Sequence, residues 1–439
     1  MLLLLSYYIF ERDFFSPTFL LCTGYLISFL LTAYGMSEWG VYLGLMTMSI
    51  FLTGIISFFA GEGFIRQAVR KRKIPDELPV INEIKIGKLK YILCTAACAA
   101  VLYLTYREVL RIANLNFAEW GNLTYNYKIN VVNSDLDDSS VSTLVQQANK
   151  VTKGCAYVFM YIFINNLFAL KKHSNMKKLK NCTNLVPCVL FVAQTLLKGG
   201  RYPVISLIMG GVFLYYYFWK KTVGRHSDVP FKTIVKIILA AFGIVFVFWA
   251  SRELVGRMAS DTDILGYVTK YLGGGAVLFE LLLRDASMVH DAYHETFAGL
   301  VTSFNKLGIT NILIRSSHEF RSANGVYIGN AYSAIRNYFH DFGIMGVVVM
   351  DFLLASIFGS VYYKLKRRPL VKKNKSFLLI LYASLIYVIF FQFFTDYFFA
   401  RLSVGYFIEV FIMWLIYFFV LKTRLRFRKS TGRKLRRNR

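Results

Sequence analysis

The chain has 439 residues, 56% hydrophobic and 17% aromatic, with a mean hydropathy of +0.46 and a formal net charge of +27. The apolar residues come in runs of about twenty rather than in amphipathic stripes, which excludes an ordinary soluble domain and marks a polytopic helical membrane protein. So large a positive charge would suggest nucleic acid in a soluble chain, but here the basic residues sit in short stretches between apolar runs, so no nucleic-acid partner is expected.

In chain order, Met1 to Phe10 is too short to cross a membrane alone and reads as a half-helix or a tilted first span. Full spans follow at Phe14 to Tyr34 and Gly40 to Ala60, then a basic linker from Arg66 to Lys73 closed by Pro75 and Pro79. Leu89 to Ala113 leads to an acidic segment with Glu119, Asp135, Asp137 and Asp138, and Gly154 to Leu170 returns to "KKHSNMKKLK". Leu185 to Leu197, the turn "KGGRYP", Val204 to Trp219 and Ile234 to Ala250 continue the alternation. Ser251 to Phe339 is expected to stay outside, and Gly343 to Tyr363, Phe377 to Thr395 and Val404 to Leu421 complete about ten or eleven spans. Every basic stretch then falls on one side, the cytoplasmic one by the positive-inside rule, together with the C-terminus.

The expected fold class is all-α: an N-terminal transmembrane bundle over 1–250, a long external loop with short helices over 251–340, C-terminal transmembrane helices over 341–421 and a basic cytoplasmic tail over 422–439. That tail is read as an anchor against anionic lipid head groups, with RNA binding as the rival reading. The six cysteines lie in or beside apolar runs, so neither a disulfide framework nor a zinc site is implied. No Walker loop and no dinucleotide fingerprint follows a strand, and no metal or cofactor is expected.

The outside segment has its own chemistry. Its cations are mostly arginine, with Arg252, Arg257, Arg284, Arg315, Arg321 and Arg336 against Lys270 and Lys306. The planar guanidinium binds phosphate through two parallel hydrogen bonds, which points to an anionic ligand; pairing with the loop's own Asp and Glu residues is the competing explanation. Arg201 follows Gly199 and Gly200 at a helix junction near the outer face, where it either holds a partner or snorkels to the head groups. Tyr327, Tyr332, Tyr338 and Phe339 present flat aromatic faces, and Asn324, Asn330 and Asn337 side-chain amides. Arg336 and His340 are spaced to share a helical face. Asp341 is either an acid–base group or the N-cap of the next span.

"GGRYPVI" at Gly199 to Ile205, "NAYSAIRNYFHDFG" at Asn330 to Gly343 and "IFGSVYYKLKR" at Ile357 to Arg367 resemble the Wzy-type polymerases of bacterial oligosaccharide repeat units, which make O-antigen and capsule polysaccharide. In topology the likeness covers most of the chain, and in sequence only these stretches. It implies a GT-C-like membrane glycosyltransferase of the bacterial plasma membrane, with its active site on the external face. Its substrate would be a polyprenyl-diphosphate-linked oligosaccharide in the lipid bilayer, and a flippase and a chain-length regulator would be its partners. The residues then divide by chemistry: Arg201, Arg336, Arg252 and Arg257 for the diphosphate, and Asn330, Tyr332, Tyr338 and Tyr327 for the sugars. Asp341, His340, His318 and Glu319 are the candidates for taking the acceptor's proton. Two other classes stay open, a ligase that uses the same donor and a flippase of lipid-linked sugars. Against a transporter, no pair of Gly- or Pro-broken spans recurs in matching halves.

Overall fold

The computed structural model describes residues 1–69, 81–113, 120–132, 141–171, 173–223, 264–285, 292–315, 317–367 and 376–423. These form a helical bundle with one two-stranded hairpin, β1 (Arg321–Ala323) and β2 (Val326–Gly329). Among the described residues, six helices are long and apolar enough to cross a membrane. Four of these are α2 (Pro17–Trp39), α3 (Leu45–Val69), α9 (Tyr202–Val223) and α12 (Ala334–Arg367). The others are Lys88–Ala113 and Val404–Leu421, and Phe377–Phe393 is a shorter apolar stretch.

Thr143–Ala169 also has the length to span, whereas Val186–Leu197, at about 18 Å, does not. Six is fewer than the ten or eleven spans expected from the sequence, and Ile234 to Ala250 lies outside the described residues. The first segment is the short helix Leu2–Ile9, after which Ser16 caps α2 by accepting from Phe19 N, with Pro17 in the first turn.

One part of the expected outside segment belongs to the bundle. Ile264–Leu283, here α10, is a 20-residue helix lying against α2, with Ser28 Oγ and Thr32 Oγ1 donating to Leu272 O and Gly273 O, each at 2.7 Å. Three consecutive glycines make this approach possible: a Cβ at Gly273 would fall 2.7 Å from Thr32 N, and one at Gly275 2.8 Å from Phe393 O. Loss of side chains at 273–275 mimics a loop in the sequence but serves backbone contact here.

The helix ends sort into two poles. At one, Asp13 accepts from Tyr216 Oη, Tyr362 Oη and Lys366 Nζ at 2.8, 2.6 and 2.6 Å. Glu62 joins α2 to α12 there by accepting from Thr18 N and Tyr363 Oη. Lys221 Nζ donates to Lys366 O, and Lys90 Nζ to Phe419 O and Thr423 O. These contacts gather Arg66, Lys90, Lys220, Lys221, Lys364, Lys366 and Lys422 at one end, the basic pole. The hairpin and the start of α12 lie at the distal pole.

Candidate functional site

The distal pole is organised around Arg336 in the first turn of α12, whose side chain is wholly excluded from solvent. Its Nε and Nη2 donate to Glu295 at 3.0 and 2.9 Å, and its Nη1 and Nη2 to Glu319 at 3.0 and 2.8 Å. The Tyr332 ring lies 4.0 Å from the guanidinium, and its hydroxyl donates to Glu319 at 2.8 Å. Arg315 Nε stands 3.0 Å from Glu295, and Arg321 bridges Glu319 and Asp285. Burial acts to raise both glutamates, but His318 and Arg336 hold Glu295 down to about 2, and Arg336 with Tyr332 does the same to Glu319.

These contacts change the expected roles. Arg336 faces two carboxylates rather than an open anion site, so here it acts as the core of the fold at this pole. Tyr332, fully buried, backs the same guanidinium and offers no free face to a sugar. Glu319 is committed to arginines. His318 keeps a partly exposed ring, with Nδ1 at 3.5 Å from Glu295 Oε1.

Asp341 lies two residues before Gly343 (φ 62°), where the helix from Ala334 breaks and the span resumes, but it does not cap that span. The amides it accepts belong to another segment, Glu295 N at 3.1 Å and Thr296 N at 2.8 Å, and His340 Nδ1 lies 2.9 Å from its other oxygen. Asp341 therefore moors residues 295–296, which carry the Glu295 carboxylate back to Arg336. His340 is buried beside it.

Asn330 Nδ2 donates to Ser317 Oγ and His318 O, tying the approach to α12. Tyr338 is buried edge-on to Phe399, with ring centroids 5.8 Å apart. Tyr327 is the exposed member of the sugar set, stacked on Phe320 at 6.0 Å. Arg252 and Arg257 lie outside the described residues.

A second cluster surrounds Arg201. Gly199, with φ 70°, turns the chain from Val186–Leu197 into α9. The 22 residues of α9 span about 33 Å to the basic pole, so Arg201 sits at the distal end. It is nearly buried between the Tyr267 and Tyr271 rings of α10, 5.7 and 5.6 Å away. The adjacent Tyr202 stacks on Tyr397 at 5.1 Å, and Arg401 lies over both rings, at 4.5 and 4.7 Å. Lys153 pairs with Glu409 at 2.6 Å. Lys198, three residues before Arg201, has no hydrogen bond or ion pair among the described residues; burial and then repulsion from Lys153 bring its ammonium down to about 8.

Four cations thus meet four tyrosines, Tyr202, Tyr267, Tyr271 and Tyr397, and one carboxylate, Glu409. Sequence reasoning found only Arg201. Arg401 escaped because "FFARLSVG" reads as the edge of an apolar run, and Lys198 because it reads as a helix-end lysine. The Phe399–Arg401 turn connects the two clusters: Phe399 touches Tyr338 and Phe297, and Arg401 touches Tyr202.

No family model matches the chain, and no curated protein or solved structure matches it.

Proposed function

We propose that the protein is a membrane glycosyltransferase that polymerises polyprenyl-diphosphate-linked oligosaccharide repeat units on the outer face of a bacterial plasma membrane, with the basic pole and the C-terminus cytoplasmic. The observation that carries this reading is the group formed by Lys198, Arg201 and Arg401 among stacked tyrosines at the distal pole. A half-buried ammonium with no counter-ion among the described residues, three positions before Arg201 in the chain, suits an anionic ligand that brings its own charge, and tyrosines tolerate both a lipid and a sugar as neighbours. The motif resemblance around "GGRYPVI" narrows the anion to a lipid diphosphate.

In this reading Arg201, Arg401 and Lys198 hold the diphosphate of the donor. The acceptor's hydroxyl oxygen attacks the anomeric carbon, the bond from that carbon to the diphosphate oxygen breaks, and the lipid diphosphate leaves with the electron pair. Cations already in place stabilise the charge developing on that oxygen, a contribution of several kcal/mol in comparable sites. His318 is the group left to take the hydroxyl proton, for which its ring has to be neutral, since Glu295 and Glu319 are too weakly basic and Asp341 is bound to backbone amides. The exposed Tyr327 and Phe320 pair receives sugar rings.

The lipid-linked sugar pool of a deletion strain tests this reading. Loss of a polymerase leaves single repeat units on the finished surface glycan or on the carrier. Long chains retained on the carrier would identify a ligase instead, and single units trapped inside the cell a flippase.

A further inference from the structure

The membrane-embedded core holds a carboxylate that the two distal clusters do not use. Asp351 lies midway along α12, 1% exposed, and Oδ1 receives the side-chain amide of Gln392, itself 2% exposed. Three polar atoms around this contact complete no hydrogen bond among the described residues: Asp351 Oδ2, Gln392 Oε1 and the hydroxyl of fully buried Tyr338. Tyr338 stands within reach of the Gln392 side chain.

The surroundings of this place are close-packed and polar. From α3, Gly54 packs directly on the carboxylate: a Cβ there would fall 2.5 Å from Asp351 Oδ2, so any side chain at 54 would displace it. From α2, Tyr25 Oη lies 3.1 Å from Ser333 Oγ, which donates to Gln392 O at 3.2 Å and fixes the glutamine's backbone. Asp396 is the other nearby carboxyl, but its oxygens accept the amides of Phe398, Phe399 and Ala400. No lysine or arginine among the described residues pairs with Asp351. An ionised carboxylate in such a place is very costly without a positive partner, and an orphan amide oxygen and phenol add to that cost.

We propose that Asp351, Gln392 and Tyr338 form a site for one small monovalent cation in the membrane-embedded core, a proton or a sodium ion. One positive charge matches the single carboxylate left available. A proton on Asp351 with the Gln392 amide turned over lets the acid donate to Oε1 and the amide nitrogen donate to Tyr338. Sodium would take oxygens from all three side chains. The inference stands apart from the polymerase reading and holds or fails without it.

The test uses the full chain purified in detergent. The thermal midpoint is followed as sodium chloride replaces choline chloride at constant ionic strength, and infrared difference spectra are taken for wild type and Asp351→Asn. Sodium binding raises the wild-type midpoint with sodium and leaves Asp351→Asn unresponsive. Proton binding leaves the midpoint indifferent to sodium, keeps Asp351→Asn as stable as wild type, and removes a protonated-carboxyl band in that variant. Gln392→Met, which retains the carboxyl, must shift the band or weaken the sodium response, and it serves if Asp351→Asn does not fold. A midpoint indifferent to sodium together with identical carboxyl bands across the variants overturns the proposal.

Discussion

Arg336 and Glu295 meet with both side chains closed to solvent, Nε to Oε2 at 3.0 Å and Nη2 to Oε1 at 2.9 Å. The pair joins the first turn of α12 to a segment 41 residues earlier in the chain. Removing one member of a buried pair strands the other charge, typically at a cost of about 3–5 kcal/mol. Arg336→Met is therefore expected to lower the thermal midpoint in detergent sharply. Arg336→Lys should recover little, because an ammonium cannot span two carboxylates.

Acid should unlock the same pole. Glu295 and Glu319 are held near 2 in the folded protein against an ordinary value of 4.5. A lowered folded value gives stability that is complete above about 4.5 and is lost as pH falls towards 2. The thermal midpoint should be level from neutral pH to about 5 and drop below that. Glu295→Gln should start lower and lose less on acidification. Equal acid slopes in the two proteins would show that this network does not set the response.

Asp341→Asn separates a mooring role from a catalytic one. Asparagine offers one acceptor oxygen where aspartate offers two, so the Glu295 and Thr296 amides and His340 can no longer all be served. A loss of about 1–3 kcal/mol in stability is expected. Full stability with abolished turnover would instead make Asp341 the proton acceptor.

How far the sequence was legible follows from where the partners lie. Val404–Leu421 and the start of Phe377–Phe393 match their expected bounds, and Lys88–Ala113 differs from its own by one residue, because length and hydropathy are local properties. The one-sided grouping of basic residues is local too, and the contacts of Lys90, Lys221 and Lys366 reproduce it. Ile264–Leu283 falls within the expected external segment, because Thr32 and Phe393, the partners of Gly273 and Gly275, are distant in the chain. Arg336 reads as a phosphate ligand because nothing nearby in the sequence reveals Glu295, and Arg401 reads as the edge of an apolar run because Tyr202, its stacking partner, is 199 residues away.

The two poles should lie on opposite sides of the membrane. Single cysteines at position 318 and at position 173 probe the distal and basic poles in intact cells. An impermeant maleimide is expected to label 318 and spare 173. The reverse pattern would invert the protein and place its candidate site in the cytoplasm.

The Arg201 cluster should bind an isolated anion. Inorganic pyrophosphate is expected to raise the thermal midpoint of wild type, and Arg201→Ala, Arg401→Ala or Lys198→Met to weaken that rise. Arg201→Lys keeps the charge but loses the planar fork between Tyr267 and Tyr271, so it should recover little of the effect. A full response in the lysine variant would mean that only net charge matters there.

The most direct measurement adds a defined polyprenyl-diphosphate-linked repeat unit to the purified protein in detergent and follows the products by mass. Wild type is expected to yield lipid-linked dimers and longer chains with release of free polyprenyl diphosphate, and Arg401→Ala, folded to the same thermal midpoint, is expected to yield none. Unchanged repeat units after incubation with folded wild-type protein, with no polyprenyl diphosphate released, would contradict the account.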